Sequence, residues 1–170
     1  SLQAKEYTSE GKTLVAPHLS AEEAEELSRG FDVNQNLNPL LAPIPPNDAN
    51  WTVTGIGAFQ NNSIIQSLFI HAHLRGKDFT YVLTYPDGRE EILLRVPNYQ
   101  FDWQFEYELA EPIRVPAGST VKSVSRYDNS RRNRANPAPH KEVYWSEQSW
   151  DDMFLTSVKY TVDESGSTQD

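Results

Sequence analysis

The chain has 170 residues, 38% of them hydrophobic and 11% aromatic, with 24 acidic against 15 basic side chains for a formal net charge of −9. That length suits one domain with a real core, and the negative charge argues against nucleic acid or an anionic membrane as the main partner. Cysteine is absent, which excludes disulfides, thiolate metal sites and cysteine nucleophiles.

No apolar run approaches the length of a membrane span, so no membrane insertion is expected, and the start, Ser1-Leu2-Gln3-Ala4-Lys5, does not read as a signal peptide. Residues 1–38 form an N-terminal extension with one well-signalled short helix. Ser20 and Glu23 make a capping box, Leu19 can act as a hydrophobic staple, and Gly30 closes the segment. Pro39, Pro43, Pro45 and Pro46 then keep the chain extended and non-helical. Beyond them the pattern is that of strands. Trp51–Phe59 and the run Ile64–Ile70 alternate, and Phe79–Tyr85 and Glu91–Val96 flank the turn signal Pro86-Asp87-Gly88. Phe101–Leu109 alternates aromatic with polar residues, as a strand with one wet face would. Thr120–Tyr127, Glu142–Trp145 and Met153–Val162 complete the set, with a turn at Pro116-Ala117-Gly118 and a long irregular loop from Arg131 to Lys141.

Short strands at this spacing predict an all-β fold, an antiparallel two-sheet jelly-roll sandwich over residues 39–162. The polar end, residues 163–170, is expected to be a disordered tail. One basic cluster, Arg126, Arg131, Arg132 and Arg134, lies among Asp, Asn and Ser and reads as a solvated loop.

The chemistry concentrates at His71-Ala72-His73, which ends the alternating run. Residues two apart on a strand share a face, so the two imidazoles can chelate a transition metal with one or two further donors. The bland alternative is two polar residues on a wet face. Met153 is the only methionine; a thioether is a poor zinc ligand and a good copper ligand, although methionine usually fills core gaps. His18 and His140, each beside a proline, are possible extra ligands that read better as surface residues. Asp151-Asp152 could bind a cation or, more in keeping with such pairs, form a strand-entry turn or act as an acceptor that orients a ligand. Glu90-Glu91 falls on the hairpin and suggests no cleft. The aromatic strand around Trp103 could stack on a sugar, although half of it should be core. No nucleophile elbow, Gly-rich phosphate loop or HExxH motif is present.

The stretch Phe69-Ile70-His71-Ala72-His73-Leu74-Arg75-Gly76-Lys77 resembles the HxHxxGK-type strand of the copper type II, ascorbate-dependent monooxygenases, and Gln148-Ser149-Trp150-Asp151-Asp152-Met153 resembles their segment ending in Asp-Glu-Met. Ile44-Pro45-Pro46-Asn47 and Asp128-Asn129-Ser130 are similar to segments of bacterial homologues. The likeness covers about residues 40 to 162 and corresponds to the family's C-terminal catalytic domain, a jelly roll. It implies one copper held by His71, His73 and Met153, with ascorbate or another reductant if the domain is active. An extracytoplasmic setting, periplasmic or secreted, is implied in the same way.

The departures are equally informative. The family's second copper sits on a preceding domain with three histidines, whereas the segment before Trp51 is too short for it and holds only His18. An upstream or separate electron-donating copper domain is therefore an expected partner. The substrate carboxylate grip of the peptide hydroxylase falls here on Phe69, Leu155 and Ser157, so a C-terminal glycine substrate is not expected. The function expected is a mononuclear copper-binding domain of an oxidoreductase. The alternatives are a non-redox jelly-roll module for carbohydrate or protein, and a copper storage or sensing domain.

Overall fold

Runs rich in β-branched and aromatic residues between Trp51 and Val162 form seven strands, most of them with proline, glycine or asparagine at or near an end. The computed structural model describes residues 41–163 in full and, before them, the backbone of two further strands, β1 (Glu6–Ser9) and β2 (Lys12–Val15). The expected helix at Ser20–Gly30, His18, Pro39 and residues 164–170 of the tail lie outside the described residues.

The first sheet takes the order β3 (Trp51–Ala58), β8 (Thr120–Tyr127), β5 (Gly76–Thr84), β6 (Glu90–Val96), and the β1–β2 hairpin extends it at the β3 edge. The second is three-stranded, with β4 (Ser63–His71) between β7 (Glu106–Val115) and β9 (Leu155–Val162). Every pairing is antiparallel, and no helix occurs among the described residues. None of these residues therefore provides a helix long and apolar enough to cross a membrane. The all-β, two-sheet expectation holds.

Alternation decides the core. Ile65, Leu68 and Ile70 of β4 face Phe79, Tyr81 and Leu83 of β5, all buried, as a sandwich of two half-solvated sheets requires. Tyr81 crosses the interior: its hydroxyl lies 2.8 Å from the Phe69 carbonyl and 3.0 Å from that of Ser157, a cross-strand pair of the other sheet. From β3 to β9 the chain changes sheet at every connection except the β5–β6 hairpin. That hairpin turns at Pro86-Asp87-Gly88, where Gly88 adopts φ 84°, the left-handed conformation only glycine takes without strain.

Three expected strands differ. Phe101–Leu109 is not one strand, because residues 97–105 loop back over the end of β4, and pairing starts only at Glu106. From there β7 continues to Val115 through Pro112. The register jumps from Ile65↔Ile113 to Ser67↔Glu108, so the proline sits in an unpaired bulge of an edge strand where no ladder N–H is needed. Glu142–Trp145 contributes only two isolated bridges, Ile44↔Val143 and Trp145↔Asp152. Strand β9 begins at Leu155 rather than Met153, whose backbone is committed to other partners described below.

Gly76 opens β5 where the folded-back loop presses closest. A Cβ there would lie 2.7 Å from the Tyr99 ring and 2.8 Å from the Ala72 methyl. Neither neighbour is the free end of a flexible chain. Gly76→Ala should destabilise the protein by about 1–3 kcal/mol, the usual cost of overpacking, read as a lowered midpoint in urea unfolding.

Candidate metal centre

Strand β4 delivers the first imidazole. Leu68 and Ile70 turn into the core, so Phe69 and His71 face the outer side of the second sheet, with His71 directly opposite Leu155 of β9. The strand ends there. Ala72 and His73 belong to the crossing from β4 to β5, yet the two rings remain neighbours, centroids 5.1 Å apart and planes at 87°. Ala72 is fully buried between them. The Tyr99 hydroxyl satisfies both of its backbone groups, accepting from Ala72 N at 3.1 Å and donating to Ala72 O at 2.7 Å. Burial pushes the Tyr99 phenol up to about 12, so it stays protonated and able to donate.

The second imidazole is nearly enclosed. His73 is 5% exposed, has the Phe101 ring edge-on at 5.9 Å, and its Nδ1 is buried with no hydrogen-bond partner in the protein. Stranding a buried polar atom costs about 1–3 kcal/mol, which coordination of a cation by the ring would offset. His71 Nδ1, in contrast, lies 2.5 Å from Gln104 Oε1.

Met153 reaches the same corner from the other end of the sequence. The antiparallel pairing of β4 with β9 ends at His71↔Leu155, and beyond it the backbones of His73 and Met153 both reach Asp152. A buried carboxylate replaces the ladder there. Asp152 Oδ1 accepts from His73 N at 2.9 Å and from Met153 N at 2.8 Å, while Oδ2 accepts from Arg75 N at 2.9 Å. Tyr127 of β8 holds the other side of Met153, its hydroxyl donating to Met153 O at 3.0 Å. A residue of the first sheet thus anchors the backbone just before β9 of the second.

The motifs scattered along the sequence converge behind this corner. Arg75, 1% exposed, donates from Nε to Asn129 Oδ1 at 3.1 Å and from Nη1 to Trp150 O at 2.8 Å. Asn129, fully buried, donates in turn to Pro45 O at 2.8 Å and Lys141 O at 2.9 Å. Burial lowers the pKa of Arg75 and raises that of Asp152. The nearby aspartate charges oppose the first shift, and the three N–H donors oppose the second.

Among the described residues no third His, Asp or Glu joins the two histidines in a metal-holding group. His140 is exposed on the Arg131–Lys141 loop, as are Arg131, Arg132 and Arg134; Asn133 between them ties that loop to Leu74 O at 2.9 Å. Glu91 engages Tyr85 and Arg89 on the hairpin, away from this site. Of the expected wet aromatic strand, Trp103 and Phe105 are exposed, while Tyr107 and Leu109 pack on the core. Reading the sequence missed Gln104 and Tyr99 as neighbours of the histidines. Both lie in or beside a stretch whose alternation reads as strand, and nothing local marks a loop that folds back.

No protein-family model and no curated protein sequence matches this chain.

Asp152→Asn keeps the shape of the side chain but turns one acceptor into a donor facing a backbone N–H. A loss of about 1–3 kcal/mol for each stranded N–H is expected, measured by urea denaturation. The histidine ring resonances should shift with it, because the same oxygen positions His73.

Proposed function

We propose that this chain is a mononuclear copper-binding domain, a jelly-roll relative of the oxygen-activating half of the copper type II monooxygenases, with His71, His73 and Met153 as ligands. The observation that carries it is the Asp152 clamp. One carboxylate oxygen ties the backbone of His73 to that of Met153, residues 80 positions apart, beside an imidazole pair with a stranded buried nitrogen. Two neutral imidazoles and a thioether form a soft, uncharged donor set, which favours Cu(I) over zinc, magnesium or calcium. Copper bound there would supply one-electron and dioxygen chemistry. The protein's part is to hold the donors still, and the two sheets do so through Asp152 and Tyr127.

The outer face beside His71 bears on the substrate. Phe69 stands between Glu106 and Ser157 in register, and Leu155 stands opposite His71. Lys159, on the same strand as Leu155 and Ser157, lies 3.5 Å from Glu106 and is already paired. Among the described residues, the positions that would grip a carboxylate are Phe69, Leu155 and Ser157, so a peptide ending in glycine is disfavoured as substrate. Full hydroxylation by the family's route needs an electron source that these residues do not provide. An upstream or separate copper domain would fill that role.

A second reading rests on a separate observation. Trp103 and Phe105, 65% and 50% exposed, stack edge to face at 4.7 Å, an aromatic ledge of the kind that binds sugars or protein in a module without redox function.

Anaerobic Cu(I) titration against a competing chelator separates these readings. The wild type should take up one equivalent, His71→Ala and His73→Ala should lose it, and Met153→Leu, a volume-conserving change that leaves folding intact, should bind Cu(I) at least tenfold more weakly. No stoichiometric uptake by the wild type sinks the copper reading and leaves the binding module. Oxygen consumption with ascorbate then divides a catalytic domain from a storage or sensing one.

A further inference from the structure

We propose that Gln104 is a positioning residue: it locks the His71 imidazole in the tautomer with its proton on Nδ1 and so presents a bare Nε2 to the cation. The proposal rests on the reading of His71 as a ligand, and its reasoning is a matter of which atoms can donate. Gln104 Nε2 lies 2.7 Å from the Phe101 carbonyl oxygen, which can only accept. The amide must therefore turn its NH2 end toward Phe101 and its Oε1 toward His71, where it lies 2.5 Å from Nδ1. Oε1 has no proton to give. Nδ1 must donate, and a neutral imidazole has only one N–H, so Nε2 is left with a free lone pair.

The isolated histidine side chain prefers the opposite tautomer, with the proton on Nε2, so the contact selects the less favoured form. The loop that carries Gln104 makes the selection rigid. Tyr99 pins the backbone of Ala72 through both N–H and C=O, and Phe101, whose carbonyl orients Gln104, packs its own ring against His73. Three residues of the connection between β6 and β7 therefore hold the His71-Ala72-His73 segment from one side. Gln104 is the one among them that decides which nitrogen is bare. Partners of this kind set metal affinity through the orientation and basicity of the ligand they touch.

The test reads the tautomer without metal and the affinity with it. Long-range nitrogen–proton correlation spectra of the metal-free wild type should show His71 protonated on Nδ1. Gln104→Leu, which removes the acceptor at similar size, should shift His71 toward the Nε2-protonated form and weaken Cu(I) binding about 10- to 100-fold. Gln104→Glu keeps an acceptor toward His71 but loses the donor to the Phe101 carbonyl, and should retain the Nδ1–H tautomer and more of the affinity than Gln104→Leu. His71 protonated on Nε2 in the wild type overturns the proposal, as does a folded Gln104→Leu variant with tautomer and affinity unchanged. If leucine disrupts the loop, the wild-type tautomer and the glutamate variant decide. Wild type with the Nδ1–H form, lost in Gln104→Leu, that nonetheless takes up no copper upholds the role of Gln104 and overturns only the metal reading beneath it.

Discussion

The buried carboxylate of Asp152 is the constraint from which the rest of the site follows. It has no exposure to solvent and accepts from the backbone of His73, Arg75 and Met153. Hydrogen bonds to a charged acceptor contribute about 1.5–3 kcal/mol each, and three of them recover much of what burial of the charge costs. They also do something an exposed ion pair could not. A single side chain fixes the turn after β4 and the start of the chain into β9, two segments that no ladder joins. Arg75 completes the arrangement by carrying a compensating positive charge into the same interior and tying it to Asn129 and the 150–151 carbonyls. A buried arginine is expensive, and this one is placed where its donors close three otherwise separate loops.

The crossing from one sheet to the other explains the geometry of the imidazole pair. On a continuous strand, residues two apart rise by about 6.6 Å and their side chains run parallel. Here the chain leaves the ladder after His71, and the rings sit at 5.1 Å and nearly perpendicular. Departure from the ladder also leaves Ala72 without strand partners. The Tyr99 hydroxyl supplies both missing hydrogen bonds, which is why the 97–105 segment must fold back over β4 and why Gly76, beneath the Tyr99 ring, has no room for a side chain.

Much of this was legible in the sequence, and the boundary is physical. The strands that became ladders, Trp51–Ala58, Glu90–Val96 and Thr120–Tyr127 among them, announce themselves through alternation and bracketing turns, because both are local properties. His71, His73 and Met153 stand out as residue types. That the His73 and Met153 backbones share one Asp152 oxygen depends on long-range packing around the end of the β4–β9 ladder, which no local pattern encodes. The misread strand at Phe101–Leu109 fails for the same reason. Its alternation is real, but Tyr99, Phe101 and Gln104 are spaced to reach the crossing between the sheets rather than to line one. Asn129 and Arg75 look like ordinary polar residues of a loop and a strand end until burial shows that each closes several backbone gaps.

The occupied state of Asp152 also bears on which cation the corner can hold. Its oxygens accept from the His73, Arg75 and Met153 N–H groups, so this carboxylate is committed to the backbone. With no other acidic side chain grouped with the pair among the described residues, the donor set proposed above is one of neutral nitrogen and neutral sulfur. A hard dication such as magnesium or calcium loses too much hydration to such a set, whereas a soft monocation loses little and gains the thioether. The carboxylate that builds the corner thus supports the copper reading by being unavailable to a metal, and under that reading the affinity would fall to features such as the Gln104 contact, which bears on the lone pair that His71 exposes.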